Sequence, residues 1–496
     1  MRLFLTSLLA LASLTSFAQK TESGDLSGTT VNGVRAYLGV PYAAPPVGPL
    51  RWKAPQPVVR SAAPLRVDKA GPACMQKLSR SHLPWTEAFM VQNDVSEDCL
   101  TLNVWTAATS GRKPVLVYVH GGAFLEGSGN VASYDGAMLA KRGVVVVTIN
   151  YRQGIFGYFA TSALKAESGH DTAGNYGLAD AIAALGWVQR NAAAFGGDPQ
   201  RVTLAGQSAG AETVAEIIAS PRAKGLFQRA IMNSDPMLWP AGPVGSLSDA
   251  AAKGDAFTEK YGGTLDALRA VPAETLLNAP DAPPKRPVVD GYWLTVQPGD
   301  DLQHPVGSDV PLMLGWVKDE GFPATKLSAE AFRTDAGAKY GEDSTRFLKL
   351  YPADTDAEAA ESQVEAGRDR NFAIAVLYAQ AYQRRRTSPA YLYLFARVPP
   401  WKAHPEFGAH HTAEVPYFFM NLEKVTDRDY TDADFAVSKV AAGEWVTFAT
   451  TGRPSAGWVP QVHGGGPFYV IDEKPRVHSE LDDARAQFWR GVLVKR

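Results

Sequence analysis

Val202-Thr203-Leu204-Ala205-Gly206-Gln207-Ser208-Ala209-Gly210-Ala211 is the stretch on which the reading of this 496-residue chain turns. Val202, Leu204 and their neighbours suit a buried strand, and Ala211, Val214, Ile217 and Ile218 recur at helical spacing. Between them Gly206-x-Ser208-x-Gly210 calls for a sharp turn that lifts the serine hydroxyl above a sheet. Glycine is needed on both flanks because strand and helix pass too close for a Cβ. A glycine-rich turn with an exposed serine satisfies the same pattern without chemistry, so the rest of the chain must decide.

Working outward, Val115–Val119 and Val144–Ile149 are short, almost wholly apolar runs of the kind found in strands buried on both faces. A helix is predicted over Leu178–Phe195, stopped by Gly196-Gly197-Asp198-Pro199, and a strand around Ala230-Ile231-Met232. Strands and helices in alternation imply a mostly parallel central sheet with helices on both faces. From Trp239 to Gly291 the pattern weakens, as in an inserted cap or lid region or a plain surface insertion. Strand-like Val310–Leu314, a helix around Phe372–Arg386, a last strand at Tyr391–Phe395 and helices around Phe435–Thr450 and Leu481–Leu493 complete the series.

A serine nucleophile needs a base, a group that orients the base, and donors for the developing oxyanion. His120-Gly121-Gly122-Ala123-Phe124 follows the first buried strand, where two glycines expose backbone N–H groups to join that of Ala209. Lys318-Asp319-Glu320-Gly321 follows the strand ending at Leu314 and offers two carboxylates that spacing does not separate. Gly408-Ala409-His410-His411-Thr412-Ala413-Glu414 offers two adjacent histidines. Serine, acid, histidine is the chain order expected for α/β-hydrolases. His411-x-x-Glu414 has no third ligand cluster beside it, which argues against a metal site.

Lys plus Arg total 49 against 51 Asp plus Glu, so no strong field points to nucleic acid, a polybasic membrane surface or a highly charged substrate. Arg2, the apolar run Leu3–Leu14 and Ser16-Phe17-Ala18 fit a secretory leader over residues 1–18, leaving a single domain over 19–496. Export places the two cysteines, Cys74 and Cys99, in an oxidising compartment, secreted or periplasmic, where a disulfide is expected; two buried thiols are the alternative.

At these residues the chain resembles the type-B carboxylesterase and lipase family, the cholinesterase-like branch of the α/β-hydrolases. The matching stretches include Gly39-Val40-Pro41-Tyr42-Ala43, Ser96-Glu97-Asp98-Cys99-Leu100, His120–Ala123, Asn150-Tyr151-Arg152, Gly174-Asn175-Tyr176-Gly177, Phe195–Pro199, Gly206–Gly210, Asp319-Glu320-Gly321 and His411-x-x-Glu414. The resemblance implies Ser208 as nucleophile, His411 as base and Glu320 rather than Asp319 as orienting acid. It implies an oxyanion hole from the N–H groups of Gly121, Gly122 and Ala209, a Cys74–Cys99 bridge, and an ion pair between Glu97 and Arg152 near the gorge. Its expected partners are a small-molecule ester and water, with no cofactor and no metal.

Departures carry information too. Gln207 stands where cholinesterases have Glu, which removes a carboxylate suited to a cationic substrate. Trp85, inside the cysteine-bounded segment, could line a gorge, but a buried packing role is the stronger expectation, as for Phe418 and Phe419, whereas Trp401, Phe407 and Tyr417 are candidates for an acyl or alcohol pocket. The rival functions are an interfacial lipase and a cholinesterase-like adhesion module without catalysis.

Overall fold

A computed structural model describes residues 18–108, 110–235, 244–283, 286–320, 326–455, 457–461, 467–478 and 484–494. Residues 1–17 of the predicted leader over 1–18 lie outside them.

Among the described residues eleven strands form the central sheet: β1 (Thr29–Val31), β2 (Val34–Pro41), β3 (Thr101–Thr106), β4 (Lys113–Val119), β5 (Val145–Ile149), β6 (Gly197–Gln207), β7 (Arg229–Asn233), β8 (Leu312–Val317), β9 (Ala390–Phe395), β10 (Phe468–Ile471) and β11 (Arg476–His478). Their spatial order is β11-β10-β9-β8-β7-β6-β4-β5-β3-β2-β1. Strands β5, β4, β6, β7, β8, β9 and β10 run parallel, and antiparallel pairs close both margins. The predicted last strand is therefore not the last: β10 and β11 extend the sheet beyond it. Both are short, and β11 is an edge strand with an exposed pattern that carries almost no periodic signal.

Period-two alternation explains the two layers. Val115, Val117 and Val119 of β4 join one core with helices α1 (Tyr176–Asn191), α2 (Ala209–Ala219), α3 (Asp356–Arg385) and α5 (Ala484–Val494). Leu116 and Tyr118 of the same strand join the opposite core with α4 (Asp432–Thr451). Helix α3 starts 16 residues before the predicted Phe372, at a capping box in which the Thr355 side chain accepts from the Glu358 N–H and Glu358 reaches back. Its first half is too polar to show an apolar stripe, and its initiation rests on that cap.

The weakly patterned segment holds helices at Leu247–Glu259, Leu265–Ala270 and Ala273–Leu277. Phe257, Leu268 and Leu276 build a third core with Trp52, Ile155, Phe156 and Phe159. From this segment Arg286 pairs with Glu212 of α2 at 2.6 Å and lies 5.4 Å over the Phe124 ring, fastening the insertion to the elements that bear the site.

Cys74 and Cys99 are buried and bonded to each other. Opening this bridge, whose ends lie 25 residues apart, is expected to lower stability by roughly 3 to 4 kcal/mol through the entropy returned to the unfolded chain. Urea midpoints with and without a thiol reductant, and for a Cys74→Ser, Cys99→Ser double variant, measure it; midpoints that coincide would contradict it.

Candidate active site

In a parallel sheet the crevice opens where neighbouring connections leave in opposite directions. Here that point lies at β4, flanked by β5 on one side and β6 on the other. The chain leaves β4 into His120-Gly121-Gly122 and leaves β6 into Ser208, so both loops meet at one end of the sheet.

Ser208 has φ 56° and ψ −128°, a conformation costing on the order of 1–3 kcal/mol in a residue with a Cβ. It is held there from both sides. Its N–H donates to the Asn233 carbonyl on β7 at 2.9 Å, and its carbonyl accepts from the N–H groups of Ala211 and Glu212 in the first turn of α2. The glycine requirement is steric as predicted: a Cβ on Gly206 would lie 2.3 Å from the Gly210 carbonyl oxygen, and one on Gly210 would lie 2.1 Å from that of Val119. Ala209 opens α2, so its N–H belongs to the helix end that has no intrahelical acceptor.

The facing loop is equally constrained. Gly122 has φ 116°, and a Cβ there would fall 1.9 Å from the Glu126 carbonyl oxygen. Ala123 and Phe124 also have positive φ, and the buried Phe124 ring anchors the loop in the core. His120 underlies it, stacked on Tyr151 at 4.5 Å and donating from Nδ1 to the Gly121 carbonyl at 2.8 Å. Burial lowers its pKa to about 4, so it is a neutral prop.

The acid and histidine loops continue the pairing of β8 with β9. After Val317 opposite Phe395, Asp319 bridges His410, which sets the following residues, Glu320 and His411, side by side. The Glu320 carboxylate meets Nδ1 of His411. Asp319 instead accepts the Ala409 N–H at 2.7 Å and pairs with Arg368, tying the two loops together. His410 is buried against Phe89, Trp401 and Phe407. Its pKa is pushed down to about 3, first by burial and then by the Arg428 charge. For His411 burial works in the same direction, but the Glu320 charge and hydrogen bond, with Glu414 adding, outweigh it and raise the pKa. Glu414 itself is lifted by burial and by the Glu320 charge to about 8.

Ser208 and His411 line one cavity of about 360 Å³. Its other walls are Trp85, Phe89, Met90 and Val91 from the disulfide-closed loop, Gly121 and Gly122, and Tyr134. Trp85 is thus only half-buried and belongs to the site, against the expectation of a packing role: Nε1 donates to Thr412 Oγ1 at 2.9 Å and the ring stands edge-on to His411 at 6.4 Å. Its position on a long irregular loop gave no sequence signal beyond the flanking cysteines. Trp401, Phe407 and Tyr417 line no part of this cavity among the described residues. Tyr417, Phe418 and Phe419 are fully buried in the α4 core.

The expected Glu97–Arg152 ion pair is replaced by two others. Arg51 forks onto Glu97 with both contacts at 2.6 Å. Arg152 forks onto Asp180 at 2.8 and 2.7 Å. Asp180 is fully buried on α1 and also accepts the Arg152 backbone N–H. Glu97 is left to Arg51, which is held by the carbonyls of Arg269 and Val271 as well.

A model of the carboxylesterase family matches residues 16–489. The chain belongs to the carboxylesterase family. Para-nitrobenzyl esterase of Bacillus subtilis (strain 168) is 37% identical over 88% of this chain and 90% of its own length. Fumonisin B1 esterase of Sphingopyxis macrogoltabida is 34% identical over 88% and 82%, and cocaine esterase of Homo sapiens 31% identical over 96% and 91%. A solved para-nitrobenzyl esterase structure superposes with a TM-score of 0.81 at 32% identity, covering 96% of this chain and 99% of that one. The sheet and its helical layers are the α/β-hydrolase fold of this type-B, cholinesterase-like family, and this carboxylesterase is a carboxylic ester hydrolase.

Proposed function

We propose that this carboxylesterase hydrolyses small to medium, largely uncharged esters through Ser208, His411 and Glu320, by way of an acyl-enzyme. The observation that carries the reading is the His411 ring, gripped at Nδ1 by Glu320 and lining the same cavity as Ser208. Nδ1 donates to the carboxylate, so Nε2 of the neutral ring carries the lone pair a general base needs. His411 takes the Ser208 proton as Oγ attacks the ester carbonyl, then returns it to the departing alcohol. Water repeats the cycle on the acyl group. The N–H groups of Gly121, Gly122 and Ala209 receive the oxyanion, helped by the positive end of α2. No step requires a metal or organic cofactor.

Substrate class follows from the walls. Among the described lining residues Glu126 is the only carboxylate besides the machinery, and no Lys or Arg is present. Burial raises the pKa of Glu126. Aromatic and aliphatic surfaces favour an apolar acyl or alcohol group. The related enzymes are named for chemically different esters, so their names select no single alcohol. The buried disulfide and the leader-like N-terminus support export as a single domain over residues 19–496.

A fluorophosphonate is expected to label Ser208 covalently. Rates on p-nitrophenyl esters of increasing acyl length are expected to peak at short to medium chains without a jump at the onset of a lipid surface. A profile rising into long chains, with interfacial activation, would establish a lipase instead; an unlabelled protein inactive on every ester would establish a binding module.

A further inference from the structure

His411 makes a second contact through Nε2, the nitrogen that the mechanism uses as base. Nε2 lies 3.1 Å from the Gln207 side-chain nitrogen. Because Nδ1 is committed as donor to Glu320, Nε2 of the neutral ring can only accept, and the amide nitrogen supplies the matching N–H. We infer that Gln207 is a positioning residue that donates to the His411 Nε2 lone pair in the resting enzyme and thereby favours the unprotonated base until the Ser208 hydroxyl replaces the amide on that lone pair. This deepens the esterase mechanism above and rests on it.

The argument runs through geometry and donor count. Gln207 is buried, on the last residue of β6, and its backbone sits directly beneath the nucleophile. Its side chain is enclosed: a Cβ on Gly121 would lie 2.8 Å from Gln207 Oε1 and 2.9 Å from Ser208 Cβ, so the loop of the oxyanion donors packs on the amide. Once His411 gains a proton, Nε2 becomes a donor facing a donor, and the contact is lost until the amide turns over within this tight enclosure. The neutral ring is therefore favoured over the charged one from this side. A carboxylate in the same place would only accept, and would favour the charged ring.

The other titratable groups act in known directions. Glu320 faces Nδ1, Glu414 lies one turn along the same loop, His410 is adjacent in the chain and stays neutral, and Glu126 and Tyr134 stand across the cavity. Glu320 and Glu414 pull the ring toward protonation. Gln207 offsets that pull without charge, which keeps the base free at lower pH than the two carboxylates alone would allow.

The test is the acid limb of the kcat/KM profile on p-nitrophenyl butyrate for the full-length protein and two near-isosteric variants. Gln207→Glu is expected to move the limb to higher pH by about 1 to 3 units, the range for an opposite charge within contact distance. Gln207→Leu removes the donor without adding charge and is expected to move it upward by less than Gln207→Glu. If both variants keep the wild-type limb, even with reduced rates, Gln207 merely packs and the inference is overturned. A downward move in Gln207→Glu overturns it equally. Fluorophosphonate labelling of the unaltered protein separates the two levels: labelling at Ser208 with an unmoved limb defeats this inference alone, whereas absent labelling defeats the mechanism beneath it.

Discussion

Ser208→Ala is expected to lower kcat for p-nitrophenyl acetate and butyrate by about 10⁴- to 10⁶-fold, with the circular dichroism spectrum and urea midpoint close to those of the parent. The size follows from the role: a nucleophile in a serine hydrolase acts as a unit with its base, and removing either leaves only what the oxyanion donors and substrate binding supply. The preserved fold follows from the geometry. What holds residue 208 in its left-handed conformation is backbone, through Asn233, Ala211 and Glu212, and alanine keeps every one of those bonds. Activity retained within tenfold would remove Ser208 from the mechanism, since no rescue by the scaffold is available to a missing oxygen.

Glu320→Gln is expected to cost about 10⁴-fold in kcat, while Asp319→Asn stays within about tenfold of the parent but loses on the order of 1–2 kcal/mol of stability. The two neighbours divide one task. Glu320 faces Nδ1 of His411, so an amide there can present N–H to the ring and stabilise the wrong tautomer. Asp319 holds the Ala409 N–H and Arg368, which makes it a fastener between loops. Steady-state kinetics and urea titrations of both variants decide the assignment, and the opposite pattern, with Asp319→Asn the crippled enzyme, would exchange their roles.

The elbow was readable because its constraint is local: Gly206 and Gly210 answer to clashes within five residues and with the strand next door. The buried parallel strands were readable because continuous β-branched runs have few other uses. Asp319 and Glu320 were inseparable by spacing, since adjacent residues in a loop differ only in which way the β8–β9 pairing turns them. Trp85 escaped for a similar reason. Its partner Thr412 lies 327 residues away, and no periodicity links a disulfide loop to a histidine loop. The Glu97–Arg152 pairing failed because it was carried by resemblance alone; Asp180 and Arg51, the residues that settle both pairs, lie outside the motif stretches that suggested it.

The strand order has a consequence in time. The proposed nucleophile and oxyanion loop follow β6 and β4 in the first half of the chain, whereas Glu320 and His411 follow β8 and β9, which dock on the far side of β7. During synthesis from the N-terminus the strained serine can be formed while its base is still unmade. The chain therefore passes through most of its own production as a catalytically silent molecule, and becomes competent only when the sheet has grown past its middle. Latency of this kind needs no inhibitor and no propeptide; in the proposed mechanism it is written into the sequence separation between a hydroxyl and the ring that deprotonates it.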